Sequence, residues 1–388
     1  MQFQPKVNYF NRENKLCYYS VMSKKKIRVG ILFGGKSAEH EVSLLSAKNV
    51  VEAMDKNKYE PILIGINKKG KWLLNDHSKF LLDNKSVKST GFNNKKVNDV
   101  ALVLQSDGKI VNLDANQTNR PIDVVFPILH GPFGEDGTIQ GLLKLANIPF
   151  VGAGVLGSAV GMDKDVMKRL LRDAGLPIAK FLAVKTDNTP VYKEVIKVLG
   201  LPFFVKPANL GSSVGINKIN NKKDFKRAIK EAFKYDLKIL FEEYIEGREI
   251  ECSVLGNDSP IASVPGEVIT KHEFYSYEAK YIDEHGAILK IPAKLSEKLV
   301  KKIQEIAIKT FKTLSCEGLG RVDLFLKKNG EIIVNEINTI PGFTSISMYP
   351  KLWEASGISY TKLIDKLIQL ALERFEKEQK LKTSYEPK

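Results

Sequence analysis

Two short segments, residues 27–33 and 123–129, are almost unbroken apolar runs, and they constrain this chain more than any other feature. A strand with one wet face alternates apolar and polar residues. A strand that is apolar throughout must be covered on both faces, as in parallel sheets layered with helices. Helical patterns at 37–54 and 137–146, and a further strand at 59–66, fit that arrangement. Together they predict an amino-terminal parallel α/β domain over residues 27–152.

The pattern continues as two further units. Residues 153–245 carry a helix at 164–174, a strand at 181–184 and a helix at 192–199. Strands at 203–206 and 214–219, a helix at 222–233 and a strand at 238–243 complete that unit. Residues 246–376 carry a strand at 249–255, a long segment at 265–292 and a helix at 296–314. Two strands at 320–326 and 332–337 follow, then a loop at 338–350 and a closing helix at 360–376. Residues 377–388 read as a frayed tail. Residues 67–122 are polar and rich in Lys and Asn, and read as an insertion with a hairpin at Asp107-Gly108. Residues 1–26 read as a disordered leader, with Met22 a candidate functional start. The leader has no apolar core of signal-peptide length.

The charge invites a nucleic-acid reading, because 60 Lys and Arg face 45 Asp and Glu, a formal +15. Only nine of the basic residues are Arg, the residue that reads base edges in bidentate fashion. The lysines also alternate with acids, as over 222–238. A solvated surface is the reading we adopt, with no nucleic acid as partner. No apolar run is long enough to cross a membrane, so no membrane insertion is expected. Three scattered cysteines fit neither a disulfide framework nor a thiolate metal site. They point to a reducing compartment, the cytoplasm.

Two glycine motifs are decoys. Gly30 to Ser37 matches a phosphate-binding loop as a string, but Ile31, Leu32 and Phe33 would occupy the loop where small residues are needed. Gly152-Ala-Gly154-Val-Leu-Gly157 matches a dinucleotide fingerprint. The acid about 20 residues on, Asp173, falls inside a helix and not at a strand end.

Three constellations carry chemistry. Arg321 and Asp323 lie two apart on one strand, and so do Glu336 and Asn338 on the next, so each pair shares a face. A hairpin at Lys328-Asn329-Gly330 would bring them together. Three oxygen donors without Cys or His suit a hard cation, Mg²⁺ or Mn²⁺. The loop from Lys206 to Gly215 is small, hydroxyl-rich and glycine-bracketed, as a loop closing over phosphates would be. At 241–249, acids interrupt two strands and could accept hydrogen bonds from an adenine amine or from ribose.

These motifs, in this order, resemble the ATP-grasp superfamily, and within it the D-alanine–D-alanine ligase family. Gly34-Gly35-Lys36-Ser37-Ala38-Glu39-His40-Glu41-Val42-Ser43 is similar to that family's first signature. The segment from His130 to Gly137 is similar to its second, and Met162-Asp163-Lys164 to its central lysine motif. Glu278-Ala279-Lys280-Tyr281 resembles its mobile loop, and Pro341 to Pro350 its last signature. The resemblance implies a three-domain ATP-grasp architecture, with central and carboxy-terminal α+β subdomains after the α/β domain. It implies ligation of two D-alanines with ATP through an acyl phosphate, for peptidoglycan synthesis, by a cytoplasmic homodimer.

It also implies roles. Lys164, Lys206, Ser213 and Lys280 would meet phosphates, while Glu242, Tyr244, Ile245 and Glu249 would hold adenine and ribose. Asp323, Glu336 and Asn338 would carry two metal ions. Glu41 would pair with the ammonium of the first substrate, with Ser212 linking Glu41 to Tyr281 under a closing lid. His130 would lie near that substrate. Arg321 and the Gly342 amide would hold the oxyanion, and Ser347 and Met348 the second substrate. Tyr281 favours an amine over D-lactate as second nucleophile. A D-Ala–D-Ser or D-Ala–D-Lac ligase and a basic nucleic-acid or membrane-surface protein are the competing readings.

Overall fold

The computed structural model describes residues 25–74, 98–112, 117–118, 121–186, 188–270 and 287–385. The leader 1–24, Cys17, and the expected lid residues Glu278, Lys280 and Tyr281 lie outside the described residues.

Among the described residues, the first unit is a seven-stranded sheet. It is built from β1 (Ile27–Gly34), β2 (Tyr59–Ile66), β3 (Trp72–Leu74), β4 (Asn98–Leu102), β5 (Ile110–Asn112), β6 (Gln117–Thr118) and β7 (Val124–Ile128). The spatial order is β6-β5-β4-β3-β2-β1-β7. β1 lies between β2 and β7, parallel to both. β3 to β6 extend the sheet antiparallel, so the polar insertion becomes sheet edge.

Both faces of β1 are covered, as its sequence requires. Val29, Ile31 and Phe33 join one core and Leu32 another. Helix α1 (His40–Ala53) packs on the first face, and α2 (Thr138–Leu145) on the second.

The central unit contains α3 (Val155–Met162), α4 (Lys164–Asp173), α5 (Tyr192–Leu199) and α6 (Lys222–Ala232). Its strands β8 (Phe181–Lys185), β9 (Phe203–Pro207), β10 (Asn217–Ile219) and β11 (Lys238–Glu243) form a sheet in the order β10-β9-β11-β8. Phe203, Val205, Ile239 and Phe241 face α5 and α6 in one core. Alternation therefore turns Lys206 and Glu242 to the opposite face.

The third unit is built on β12 (Arg248–Gly256), β13 (Ile261–Ala262), β14 (Gly266–Thr270), β15 (Ala287–Lys290), β16 (Gly318–Leu326) and β17 (Ile332–Asn338). Its helices are α7 (Glu297–Thr313), α8 (Met348–Ala355) and α9 (Tyr360–Glu378). Ile250, Cys252, Val322, Leu324 and Val334 pack with Ile303, Ala307 and Phe311 of α7. The other face carries Glu249, Glu251, Arg321 and Asp323.

Four differences from the sequence reading have physical causes. α3 was not expected, because its pattern held glycines. Gly157 and Gly161 sit where a Cβ would strike the Ser315 carbonyl at 2.5 Å and the Thr339 methyl at 2.9 Å. α8 begins inside the expected loop 338–350, and its Pro350 falls in the first turn, where no amide is missed. β10 is shorter than 214–219, since Gly215 turns the chain at φ +73°. Lastly, Phe343, Tyr349, Trp353, Leu363 and Leu367 share one core with β1 and α1. The first and third units, far apart in sequence, therefore share a core.

Candidate active site

The site lies where the three units meet, and its floor is the hairpin β16–β17. Arg321 stands opposite Asn338, and Asp323 opposite Glu336. The ladder then skips Asn335, a bulge that lets both acids share one face. The turn closes at 327–331 with Gly330 at φ +82°. Asp323 accepts two hydrogen bonds from Arg321, at 2.7 and 2.8 Å, and one from Asn338 at 3.0 Å. Glu251 of β12, not singled out in the sequence, lies 2.8 Å from the same guanidinium.

Among the described residues, no three His, Cys, Asp or Glu side chains already form a ligand cluster. The donor set Asp323, Glu336 and Asn338 nevertheless fits a hard divalent cation. All its ligating atoms are oxygens, on adjacent strands, each side chain partly open to solvent.

Cations close the site from the central unit. Lys164, at the start of α4, donates to the Leu210 carbonyl at 2.7 Å and lies 3.5 Å from Glu336. Lys206 forms an ion pair with Glu242, and Lys168 forms a second with the same carboxylate. All three are nearly sealed from solvent. Burial alone would raise the Glu242 carboxyl, but the two lysines pull it below the ordinary value. Glu242, expected at adenine, is the centre of two ion pairs. Lys168 was missed, because a lysine one turn beyond another on a helix reads as solvated surface.

The loop after β9 is held from several sides. Asn209 donates from its backbone and side-chain amides to Asp236, at 2.7 and 3.0 Å. Ser212 and Ser213 both adopt left-handed backbone, φ +52° and +60°, which costs energy in residues other than glycine. The reward is direction: the Ser212 hydroxyl donates to Glu39.

That contact corrects an expectation. Glu41 does not meet Ser212; it points outward and pairs with Lys68 at 2.5 Å. Glu39, the N-cap residue of α1, is the buried carboxylate that faces the site. Two residues apart at a helix start, the pair cannot share a direction, and the cap residue points back toward the loops.

Behind Glu39 lies a polar group formed by half-buried Glu135 and buried His130. Glu135 accepts from the Gly131 amide at 2.7 Å and the Ile340 amide at 3.1 Å. Burial, and then the Glu39 charge, push its carboxyl up to about 8. His130 is fully buried, and burial lowers its pKa, leaving a neutral ring at pH 7. Its Nδ1 lies 3.0 Å from the Ile340 carbonyl and its Nε2 3.5 Å from the Ser46 hydroxyl. His130 therefore donates to Ile340 and fixes the 339–343 loop. The Ser46 hydroxyl accepts from the Phe343 amide, 3.2 Å away, on the same loop.

Gly342 follows on that loop, and a Cβ there would sit 2.7 Å from the Ser347 hydroxyl. Glycine thus allows Ser347 to lie over the Gly342 backbone, where Ser347 also accepts from the Thr344 amide at 2.9 Å. Met348 opens α8, with its side chain packed against Val268 and Leu352.

A cavity of about 620 Å³ opens at the strand ends, walled by Tyr244, Ile245, Lys180, Ile178 and Ile333. Tyr244 sits beside Phe204, with Lys218 over its ring at 4.6 Å. Among the described residues, none of the phosphate or metal candidates lines this cavity. Glu249 stands on the acid face of β12, opposite Phe325. The two described cysteines, Cys252 and Cys316, are sealed, and burial pushes both thiols up to about 12. They are not nucleophiles.

Comparison with known proteins finds relatives along most of the chain. The family model for the D-ala D-ala ligase N-terminus matches residues 28–153, and that for the C-terminus residues 170–369. A D-alanine--D-alanine ligase of Oceanobacillus iheyensis is 56% identical over 363 residues, covering 92% of this chain and 99% of the relative. A D-alanine--D-alanine ligase A of Salmonella typhimurium is 50% identical over 92% of this chain and 99% of its own. Among solved structures, the D-alanine-D-alanine ligase from Coxiella burnetii superposes with a TM-score of 0.82 at 40% identity, covering 92% and 96% of the two chains. The VanG D-Ala:D-Ser ligase from Enterococcus faecalis superposes at 0.80 and 38% identity, covering 89% and 100%.

Proposed function

Because the chain belongs to the D-alanine–D-alanine ligase family, we propose that it joins two D-alanines at the expense of ATP, supplying a dipeptide for cell-wall synthesis. The observation that carries the reading is the meeting of one buried carboxylate, Glu39, with the acids and cations of the ATP-grasp units.

The first D-alanine lays its ammonium against Glu39 and its carboxylate toward the phosphates. A carboxylate oxygen attacks the γ-phosphorus, the bond to the ADP oxygen breaks, and an acyl phosphate forms. The second amine then attacks the acyl carbon and loses a proton, and phosphate leaves. Phosphoryl transfer asks mainly for positioning and charge neutralisation. Lys164 and Lys206 provide both, with Ser213 and Lys280 as further phosphate ligands. Adenine and ribose lie by Glu242, Tyr244, Ile245 and Glu249. Asp323, Glu336 and Asn338 hold Mg²⁺ or Mn²⁺, two ions, which neutralise the phosphate oxygens when bound. Arg321, steadied by Glu251, and the Gly342 amide face the oxyanion of the tetrahedral intermediate. Ser347 holds the second carboxylate, and Tyr281 closes the lid onto Ser212. We propose a cytoplasmic homodimer; among the described residues, no helix is long and apolar enough to cross a membrane.

Phosphate release from ATP, measured with D-alanine, L-alanine, D-serine or D-lactate singly and in pairs, tests the reading. Release with D-alanine alone, yielding D-alanyl-D-alanine, is expected. A requirement for D-serine or D-lactate as second substrate would move the chain to a neighbouring specificity, the one that the VanG relative makes worth testing.

A further inference from the structure

Helix α4 sends a second lysine into the site, one turn beyond Lys164. Lys168 has no exposed surface. Its Nζ pairs with one oxygen of Glu242, while Lys206 pairs with the other. The same Nζ donates to the Asn335 carbonyl at 3.3 Å. Asn335 is the bulged residue that sets Glu336 opposite Asp323. One sealed ammonium therefore touches both the carboxylate beneath Lys206 and the strand carrying a metal-site acid. Lys206 alone already balances the charge of Glu242, and Glu336, the other acid that acts on Lys168, has Lys164 beside it, so a second buried cation on Glu242 is surplus, and burying a cation is costly. The surplus ends once Lys206 turns toward a phosphate, because Glu242 is only 4% exposed and could not recover water.

We propose that Lys168 is a positioning residue for nucleotide binding, the buried counter-ion that keeps Glu242 compensated while Lys206 engages phosphate. The proposal rests on the reading of Lys206 as a nucleotide ligand. Without Lys168, releasing Lys206 would strand a buried carboxylate, and a buried charge stripped of its partner is strongly unfavourable. Lys206 would stay on Glu242, and nucleotide would bind without it. Lys168 touches no substrate in this scheme; it acts through Glu242.

Titration calorimetry of the full chain with ADP and Mg²⁺ tests this. Lys168→Met is expected to weaken ADP binding at least about tenfold, with the KM for D-alanine within about twofold of wild type. Glu242→Gln removes the charge that needs compensating. Adding Lys168→Met to Glu242→Gln should then cost no further affinity. If Lys168→Met alone does not fold by circular dichroism, the comparison of Glu242→Gln with the double variant still decides. Wild-type ADP affinity in Lys168→Met, or a full further loss in the double variant, overturns the proposal. Lys206→Met separates the two readings. If it weakens ADP binding and Lys168→Met does not, only this inference falls. If it binds ADP at wild-type strength, the nucleotide role of Lys206 falls, and this inference with it.

Discussion

Glu39 and Glu41 show what a single position decides. Both are acids at the start of α1, and both fit an ammonium-binding role as sequence. Only the N-cap geometry separates them, turning Glu39 toward Ser212 and leaving Glu41 on Lys68. We expect Glu39→Gln to lower kcat/KM for the first D-alanine by roughly thirty- to a thousandfold, the loss typical when a buried charge partner is removed. Glu41→Gln gives up an exposed ion pair worth at most about 1 kcal/mol and should stay within about twofold. Steady-state kinetics on the two variants checks this, and reversed effects would return the role to Glu41. Glu135, beside Glu39, gives a pH prediction. Its carboxyl rises from an ordinary 4.5 to about 8 in the folded chain. Between those values the folded state holds a proton that the unfolded state has released. Its stabilising contribution is therefore complete below the unfolded value and is lost as pH climbs through the folded one. Stability should fall from about pH 5 to 8, with a slope from this group approaching about 1.4 kcal/mol per pH unit at most, and level off above that range. Glu135→Gln should flatten that slope in urea titrations; an unchanged slope would remove Glu135 as its source.

At the scale of elements, most of the architecture was legible in the sequence because each strand obeyed its burial. β2, β11 and α5 fall on the expected residues, and the β16–β17 hairpin closes where Asn329-Gly330 permits a turn. α3 and α8 were hidden because short helices rich in Gly or opened by Met-Tyr-Pro carry little 3.6-residue periodicity. Their partners, such as the Ser315 carbonyl against Gly157, lie far away in sequence. The site divides the same way. Strand alternation alone puts Arg321 with Asp323 and Glu336 with Asn338, but only the bulge at Asn335 sets the two pairs on one face. Lys168 could not be placed this way, because its partners Glu242 and Asn335 come from two other strands. α4 therefore matters beyond its length, since it aims both Lys164 and Lys168. Its N-cap, Asp163, accepts from the Asp165 and Val166 amides, both at 3.1 Å, and from Lys238 at 2.6 and 2.7 Å. Asp163→Ala removes cap and ion pair together and should cost about 2–3 kcal/mol, with a raised KM for ATP as α4 frays. Asp163→Asn keeps a capping oxygen and should cost about half as much. Urea denaturation with parallel kinetics checks both. Equal losses in the two variants would assign the effect to Lys238 and not to the cap.

At the scale of the molecule, the chain is threaded so that its last helix completes its first sheet. Leu363, Ile364, Leu367 and Ile368 of α9 lie in one core with Val29, Ile31 and Phe33 of β1. Arg374, further along α9, donates to the carbonyls of Gly152 and Phe150 at 2.6 and 2.8 Å and covers the Phe150 ring at 4.5 Å. Beside α1, α9 covers the part of that sheet face over β7, where an apolar strand could not tolerate water. The same arrangement serves the site. The 339–343 loop, which carries Gly342, is gripped by His130 and Glu135 from the first unit and by Tyr360 of α9, which donates to the Phe343 carbonyl at 2.6 Å. Stability of the first unit and geometry of the site should therefore be lost together. Leu367→Ala opens a cavity in a fully buried position and should cost about 3 kcal/mol. Calorimetry should show the unfolding of the first and third units shifting as one transition, and ligase activity should vanish at the same temperature. If Leu367→Ala instead splits off a low-temperature transition while activity persists above it, the two units are energetically separate despite their common core.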